Sequence, residues 1–247
     1  MKAWGVSDKG CVRATNQDAF LVDVMEIDDQ PIALLMVCDG MGGAKAGHVA
    51  SKYAVEGFAG EIRRSLKPDL TMKEWKQILL RAVEQANLSV FDLSRQQPEF
   101  AGMGTTLVAA LILYGQALVV NIGDSRCYRL DQSLEQVTTD HSFVEQLVRE
   151  GHLSQQEARH HPKKNLITRA VGVEPKIEAD LFAFRFEPGQ RLLLCSDGLS
   201  NMLTDAQMAR VLQEEEDEQQ AAQRLIELAK QAGGTDNITV VLATQQG

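Results

Sequence analysis

The chain reads as an α+β fold with helices packed outside a two-sheet core, and three observations point there. Short apolar runs of strand length recur from end to end. Two connections, LYGQAL (113–118) and RLDQSLEQV (129–137), are too short to hold a crossover helix, so the strands they join must be antiparallel, which disfavours a doubly wound parallel sheet. Segments with helical periodicity fall into separate blocks rather than alternating with strands.

The strand-length runs cover residues 19–25, 32–38, 106–113, 117–122, 125–130, 180–186, 191–195 and 238–244. The run over 32–38 is continuously apolar, the pattern of a strand buried on both faces. One helical block covers 46–66 and 72–97, and the other covers 142–150, 205–213 and 217–232. Thr71-Met-Lys-Glu74 and Ser154-Gln-Gln-Glu157 match a capping box, in which the hydroxyl and the later carboxylate satisfy free amides of the first turn. Val83, Ala86, Leu88, Val90, Phe91 and Leu93 share one face of the second helix and are assigned to core packing. Residues 138–172 break the pattern. They are richer in polar and basic residues and carry HHPKKN ahead of LITRAVG, either a flap or an ordinary surface excursion.

At 247 residues and 44% hydrophobic content, one domain over 1–247 is expected. A formal net charge of −9, with no basic stripe interleaved with aromatics, argues against nucleic acid as a partner. The acidic run EEEDE (214–218) reads as a solvated face or a helix start. Cys11, Cys38, Cys127 and Cys195 lack CxxC spacing, which disfavours zinc. They suit reduced core thiols, and with no cleavable signal in evidence they suggest a cytoplasmic protein. No run reaches membrane-spanning length. The histidines lack HExxH spacing and read as surface or structural residues.

The chemistry lies in how the strands end. ALLMVCDGMGG (33–43) drives an apolar run into Asp39 and a glycine, and RLLLCSDGL (191–199) repeats this at Asp197. ALVVNIGDSR (117–126) ends in Gly123-Asp124, and GTDNITVVLAT (234–244) sets Asp236 just ahead of a strand. A single Asp-Gly is an ordinary turn dipeptide. Four strand ends carrying aspartates would, if they converge, crowd carboxylates whose repulsion raises their pKa values unless cations neutralise them. Carboxylates without histidine or thiolate partners suit Mg²⁺, Mn²⁺ or Ca²⁺, and the EF-hand loop pattern is absent. Two such ions about 3.5–4 Å apart share a water, acidify it and aim it at phosphorus. Phosphate oxygens also call for a fork-shaped cation, and Arg13 in SDKGCVRATNQDAF (7–20) stands near Asp18 in a stretch that leads into a strand. No GxxxxGK[ST] motif is present, and GMGGAKAG fails the GxGxxG spacing. Its glycines are read as close backbone approach, and those of GMGTT (102–106) as turn chemistry.

Taken together, SDKGCVRATNQD, VCDGMGG, GMGTTLVAALI, NIGDSRCYRL, TTDHSF, ITRAVG, LLCSDGLSNML and GTDNITVVLA resemble, in order and spacing, the metal-dependent protein phosphatase 2C family, particularly its compact bacterial members. The resemblance implies a four-layer α-β-β-α sandwich, two central antiparallel sheets flanked by helix pairs, with metal ions at one end of the sheets. It implies that Asp39 bridges two Mn²⁺ or Mg²⁺ ions, that the Gly40 carbonyl ligates one, and that Asp197 and Asp236 hold the other. Asp18 would support the second ion through water, Asp124 would help bind a weaker third, and Arg13 would take the phosphate. The implied reaction is hydrolysis of phosphoserine or phosphothreonine in proteins by in-line attack of the metal-bridging water. Implied partners are phosphoproteins and a cognate serine/threonine kinase, with the chain a monomer away from nucleic acid and membrane. Two departures from the eukaryotic pattern stand out: Gln17 replaces a metal-supporting glutamate, and Met41 replaces a histidine assigned there as general acid. The acid is therefore unassigned, with a metal-bound water and His161 of the flap-like segment (about 142–164) as the candidates. The alternative is a pseudophosphatase or metal-binding scaffold that recognises phosphoproteins without turning them over. A metallophosphoesterase for small phosphates is a third reading.

Overall fold

A computed structural model describes residues 1–27, 30–43 and 46–245. Ala44 and Lys45 of the GMGGAKAG stretch lie outside the described residues. In chain order the elements are β1 (Lys2–Asp8), β2 (Asp18–Ile27), β3 (Gln30–Met41), α1 (Ala46–Ser65), α2 (Met72–Gln96), β4 (Gly104–Thr105), β5 (Leu107–Leu113), β6 (Gln116–Ile122), β7 (Arg126–Leu130) and β8 (Leu134–Gln136). They continue with α3 (Phe143–Arg149), α4 (Gln155–His160), β9 (Asp180–Arg185), β10 (Arg191–Cys195), α5 (Asp197–Ser200), α6 (Asp205–Glu214), α7 (Glu218–Gln231) and β11 (Ile238–Thr244).

All the pairings are antiparallel. One sheet has the order β1-β11-β10-β7-β8, and the other β2-β3-β5-β6-β9 with β4 beside β3. Why the run at 32–38 is continuously apolar follows from its neighbours. Ile32, Leu34, Met36 and Cys38 join a core with α1 and α2, while Ala33, Leu35 and Val37 join a second core shared with Leu192, Leu194, Val241 and Ala243 of the other sheet. Strand side chains alternate, so a strand between two cores must be apolar at every position. A third core sets Leu193, Cys195, Val240 and Leu242 against α6 and α7. The molecule is thus the four-layer α-β-β-α sandwich that the sequence resemblance implies.

Both capping boxes form: the Thr71 hydroxyl accepts from the Glu74 amide, and Ser154 does the same for Glu157. The structure also corrects several expectations. β1, β4, β8 and α5 are absent from the sequence reading, the last three because two to four residues carry no measurable period. Leu88 is exposed, unlike its α2 neighbours Val83, Ala86 and Val90. Cys11 is exposed, whereas the other three cysteines are buried free thiols. In EEEDE, Asp217 caps α7, but Glu218 is buried beside Arg191, 3.9 Å away.

Candidate metal centre

Strand polarity gathers the aspartates. Asp18 opens β2 directly opposite Asp39, near the end of β3. In the other sheet, Cys195 closes β10 opposite Val240, the third residue of β11, so Asp197 just after β10 and Asp236 just before β11 share one end. Hydroxyls stitch the two ends together. Ser196 Oγ and Thr239 Oγ1 donate to Asp18 Oδ2 at 2.8 and 2.6 Å, across the gap between sheets. Asp124 follows β6, whose last residue, Ile122, pairs with Leu107 at the start of β5. Just before it, Thr106 bonds the backbone of Asp39 twice: its Oγ1 accepts from the Asp39 amide at 2.9 Å, and its own amide donates to the Asp39 carbonyl at 2.9 Å.

Asp39-Gly40 and Asp197-Gly198 are not turns. The first lies inside β3 and the second begins α5. Their glycines serve close approach instead: a Cβ on Gly40 would stand 2.0 Å from the Gly47 carbonyl oxygen, and one on Gly198 1.9 Å from that of Asn237. The close-approach reading of the glycine-rich stretch at 40–47 therefore holds at Gly40, where the backbone of β3 meets α1. Gly104 of GMGTT is likewise crowded, its would-be Cβ 2.8 Å from Met41 Cε, so the simple turn reading fails there.

The resulting electrostatics are those of unneutralised like charges. Burial, with repulsion from Asp18, Asp197, Asp124 and Asp236, pushes Asp39 well above the carboxylate range. Burial also pushes Asp18 up to about 7, although Thr239 and Ser196 pull the other way. Asp197 is pushed up to about 6 by burial and by Asp236. Asp124 lies well above the usual range through burial, with Asp197 and Asp140 adding to it. Asp18 Oδ1 and Asp197 Oδ1 are buried without any hydrogen-bond partner. Such orphaned carboxylate oxygens are costly, and a divalent cation satisfies them and reverses the shifts. Among the described residues no three carboxylate, imidazole or thiol groups enclose a single point. The fit to hard divalent ions rests instead on the all-oxygen donor set and on the two orphaned carboxylate oxygens.

Arg13 reaches the same mouth. Its Nη2 donates to Asp236 Oδ2 at 2.7 Å, and the side chain remains 54% exposed, with one nitrogen of its fork engaged in that bond. Asn237 secures the loop that carries it, with Nδ2 donating to the carbonyls of Lys9 and Thr15 at 3.0 Å and Oδ1 accepting from the Gln17 amide at 2.8 Å. Gln17 turns its carboxamide to the Gly43 carbonyl, 3.2 Å away. His161 lies against the Phe143 ring, with centroids 6.1 Å apart, and its Nδ1 accepts from the Lys163 amide. No hydrogen bond or ion pair joins it to the aspartates. The flap-segment charge that reaches the cluster is Lys164, which acts on Asp197.

All the aspartates singled out from the sequence thus meet at one mouth, with Arg13 and Gly40 among them. The residues missed are the hydroxyls Thr105, Thr106, Ser196 and Thr239 and the amide Asn237. Each adjoins or lies within three residues of a strand-end aspartate or its partner strand, which was the available signal.

The protein phosphatase 2C family model matches residues 12–231. A serine/threonine phosphatase stp of Listeria monocytogenes is 40% identical over 98% of this chain and 96% of its own length. Among solved structures, the serine/threonine phosphatase Stp1 from Staphylococcus aureus superposes with a TM-score of 0.91 at 34% identity, covering 100% of this chain and 95% of its own. The catalytic domain of the serine threonine protein phosphatase PstP, in complex with two manganese ions, gives 0.86 at 37% identity, covering 100% of this chain and 98% of its own.

Proposed function

The chain belongs to the protein phosphatase 2C family, as a bacterial-type metal-dependent serine/threonine phosphatase, and from that premise we propose which of its residues carry the reaction. The enzyme hydrolyses phosphoserine and phosphothreonine in proteins. Asp39 and the Gly40 carbonyl would hold one divalent ion, and Asp39, Asp197 and Asp236 would supply oxygens to a second. Asp18 would support that second ion, and Asp124 would contribute to a third. When bound, divalent ions there would supply an acidified water as the nucleophile toward phosphorus and would neutralise the charge that develops. Arg13 takes the non-bridging phosphate oxygens on the rest of its fork while Asp236 orients it. Ser196 and Thr239 keep Asp18 turned toward the cluster, and Thr105 and Thr106 hold the Asp39 backbone in place.

The observation that carries this assignment is the gathering of five buried or half-buried aspartates at one mouth, two of them with orphaned oxygens. A pseudophosphatase is the less favoured reading, because every carboxylate that the metal site calls for is present. We take residues 1–247 as one catalytic domain and the ions as Mn²⁺ or Mg²⁺, two in the core and a third more weakly held. We also infer a monomeric cytoplasmic protein, remote from nucleic acid and membrane, that opposes a serine/threonine kinase. Among the described residues no helix is long and apolar enough to cross a membrane. The test is phosphate release from a phosphothreonine peptide with and without Mn²⁺, for the wild type and for Asp39→Ala and Asp197→Ala. Metal-dependent turnover reduced at least about a hundredfold by either substitution is expected. Unchanged rates in either variant would reject these roles.

A further inference from the structure

A groove of about 960 Å³ opens beside the metal centre, between α2 and the segment 167–178. Met41, the residue after Gly40 and two after Asp39, is part of its lining, which sets the groove next to the catalytic mouth. Leu88 and Val173 line it and are 42% and 49% exposed. This is where the Leu88 anomaly finds its place: the residue that breaks the buried face of α2 faces this groove. Asn87 fixes the walls. Fully buried, it donates from Nδ2 to the Glu174 carbonyl at 2.8 Å and accepts at Oδ1 from the Gly172 amide at 2.8 Å, binding the segment to the helix. The backbone bridges Thr105 to Val171 and Ser142 to Ile167 pin the preceding stretch. A groove of this volume and rigidity suits a segment of several residues, at the upper end of typical ligand pockets.

Its charge is biased. Glu84, Glu174 and Glu178 stand on the rim, exposed and outside every ion pair among the described residues. Arg169 is already committed, its Nη1 3.0 Å from Asp180 Oδ1. Lys176 is the remaining cation in the lining, so carboxylates are in excess.

We propose that this groove seats the polypeptide flanking the phosphoresidue of the substrate and selects flanks that carry lysine or arginine beside an apolar side chain. The proposal rests on the phosphatase assignment above and adds a sequence preference to it. The apolar floor at Met41, Leu88 and Val173 gives contact area, and the glutamates on the rim meet the basic side chains. The acidic chain as a whole reinforces this by drawing basic segments toward its surface.

The test uses two short phosphothreonine peptides of one apolar frame, one with arginines flanking the phosphoresidue and one with alanines in their place. The kcat/KM of each is measured with Mn²⁺ and divided by p-nitrophenyl phosphate turnover of the same preparation, which calibrates the metal centre. The wild type should favour the arginine peptide, and the preference should weaken with salt. In the triple variant Glu84→Gln/Glu174→Gln/Glu178→Gln, the ratio of arginine to alanine peptide should fall about fivefold, the order expected from losing a few exposed ion pairs. Lys176→Glu should raise the ratio by about twofold. Equal rates for the two peptides in the wild type, or a ratio unmoved in both variants, would overturn the groove proposal and leave the phosphatase assignment intact. A wild type that hydrolyses neither peptide nor p-nitrophenyl phosphate would overturn the assignment and the groove with it.

Discussion

Two clusters of buried charge lie side by side at the end of the sandwich and are built on opposite principles. Around Arg126 the charges are matched: Nε donates to both oxygens of Asp140, at 3.0 and 3.1 Å, Nη2 donates to Asp140 Oδ2 at 2.7 Å, and Nη1 donates to the Tyr128 hydroxyl at 3.0 Å. Burial works against the Arg126 charge, yet Asp140 and Tyr128 outweigh it and hold the guanidinium firmly protonated. Around Asp39 four carboxylates, Asp18, Asp197, Asp124 and Asp236, crowd against it with Arg13 as the counter-charge, and two carboxylate oxygens of the cluster lack any hydrogen-bond partner. The first cluster is complete as it stands and fixes the GDSR strand next to Asp124. The second is complete only with cations. Function sits where the polypeptide leaves charge unmatched.

The comparison breaks most sharply by substitution. Arg126→Met removes one half of the matched cluster and leaves Asp140 almost buried and short of its main partner. It should cost on the order of 3 kcal/mol, read as a lower midpoint in urea unfolding. Asp39→Asn removes one of several like charges, so it should raise the melting temperature of the metal-free protein by about 3 °C while abolishing turnover. A fall in that temperature would mean that the carboxylates do not repel one another.

Proton and metal should compete for the unmatched cluster. Asp18 sits at about 7 in the fold against an ordinary 3.8, so the folded chain keeps a proton that the unfolded chain has already lost over that window. The stability linked to that proton is full below pH about 4, falls as the pH rises toward 7, and is gone above it. A divalent ion replaces the proton. Mn²⁺ should therefore raise the melting temperature, relative to chelator-treated protein, by several degrees more at pH 8 than at pH 5. Equal shifts at the two pH values would count against carboxylates as the ligands.

The smallest expected effect sharpens the same contrast. Thr239→Val keeps a β-branched residue in β11 but removes the hydroxyl that donates to Asp18 Oδ2. About 1 kcal/mol should be lost from the Mn²⁺-loaded protein, where Asp18 is ionised and needs that donor, and less from the protein at pH 5, where Asp18 is protonated. Thermal melts of the variant under the two conditions measure the difference.

The amino-acid sequence by itself determined the layers and the aspartates that gather at the mouth. A strand such as β3 between two cores must be apolar at every position, hairpin-length connections must join antiparallel strands, and a carboxylate at the end of a buried strand must emerge at a rim. Asp18, Asp39, Asp124, Asp197 and Asp236 were legible for that reason, and Arg13 through the motif around it. Tertiary structure alone decided which strand ends coincide and what supports them. The Asp18 hydroxyl donors come from residues 178 and 221 positions away along the chain. The Gly40 and Gly198 contacts depend on backbones that only the fold brings together, which is why Asp-Gly looked like a turn. Leu88 was misplaced for a different cause: at about 100° per residue it stands about 140° from Val83 and about 160° from Ala86, so helical periodicity already sets it off the buried face.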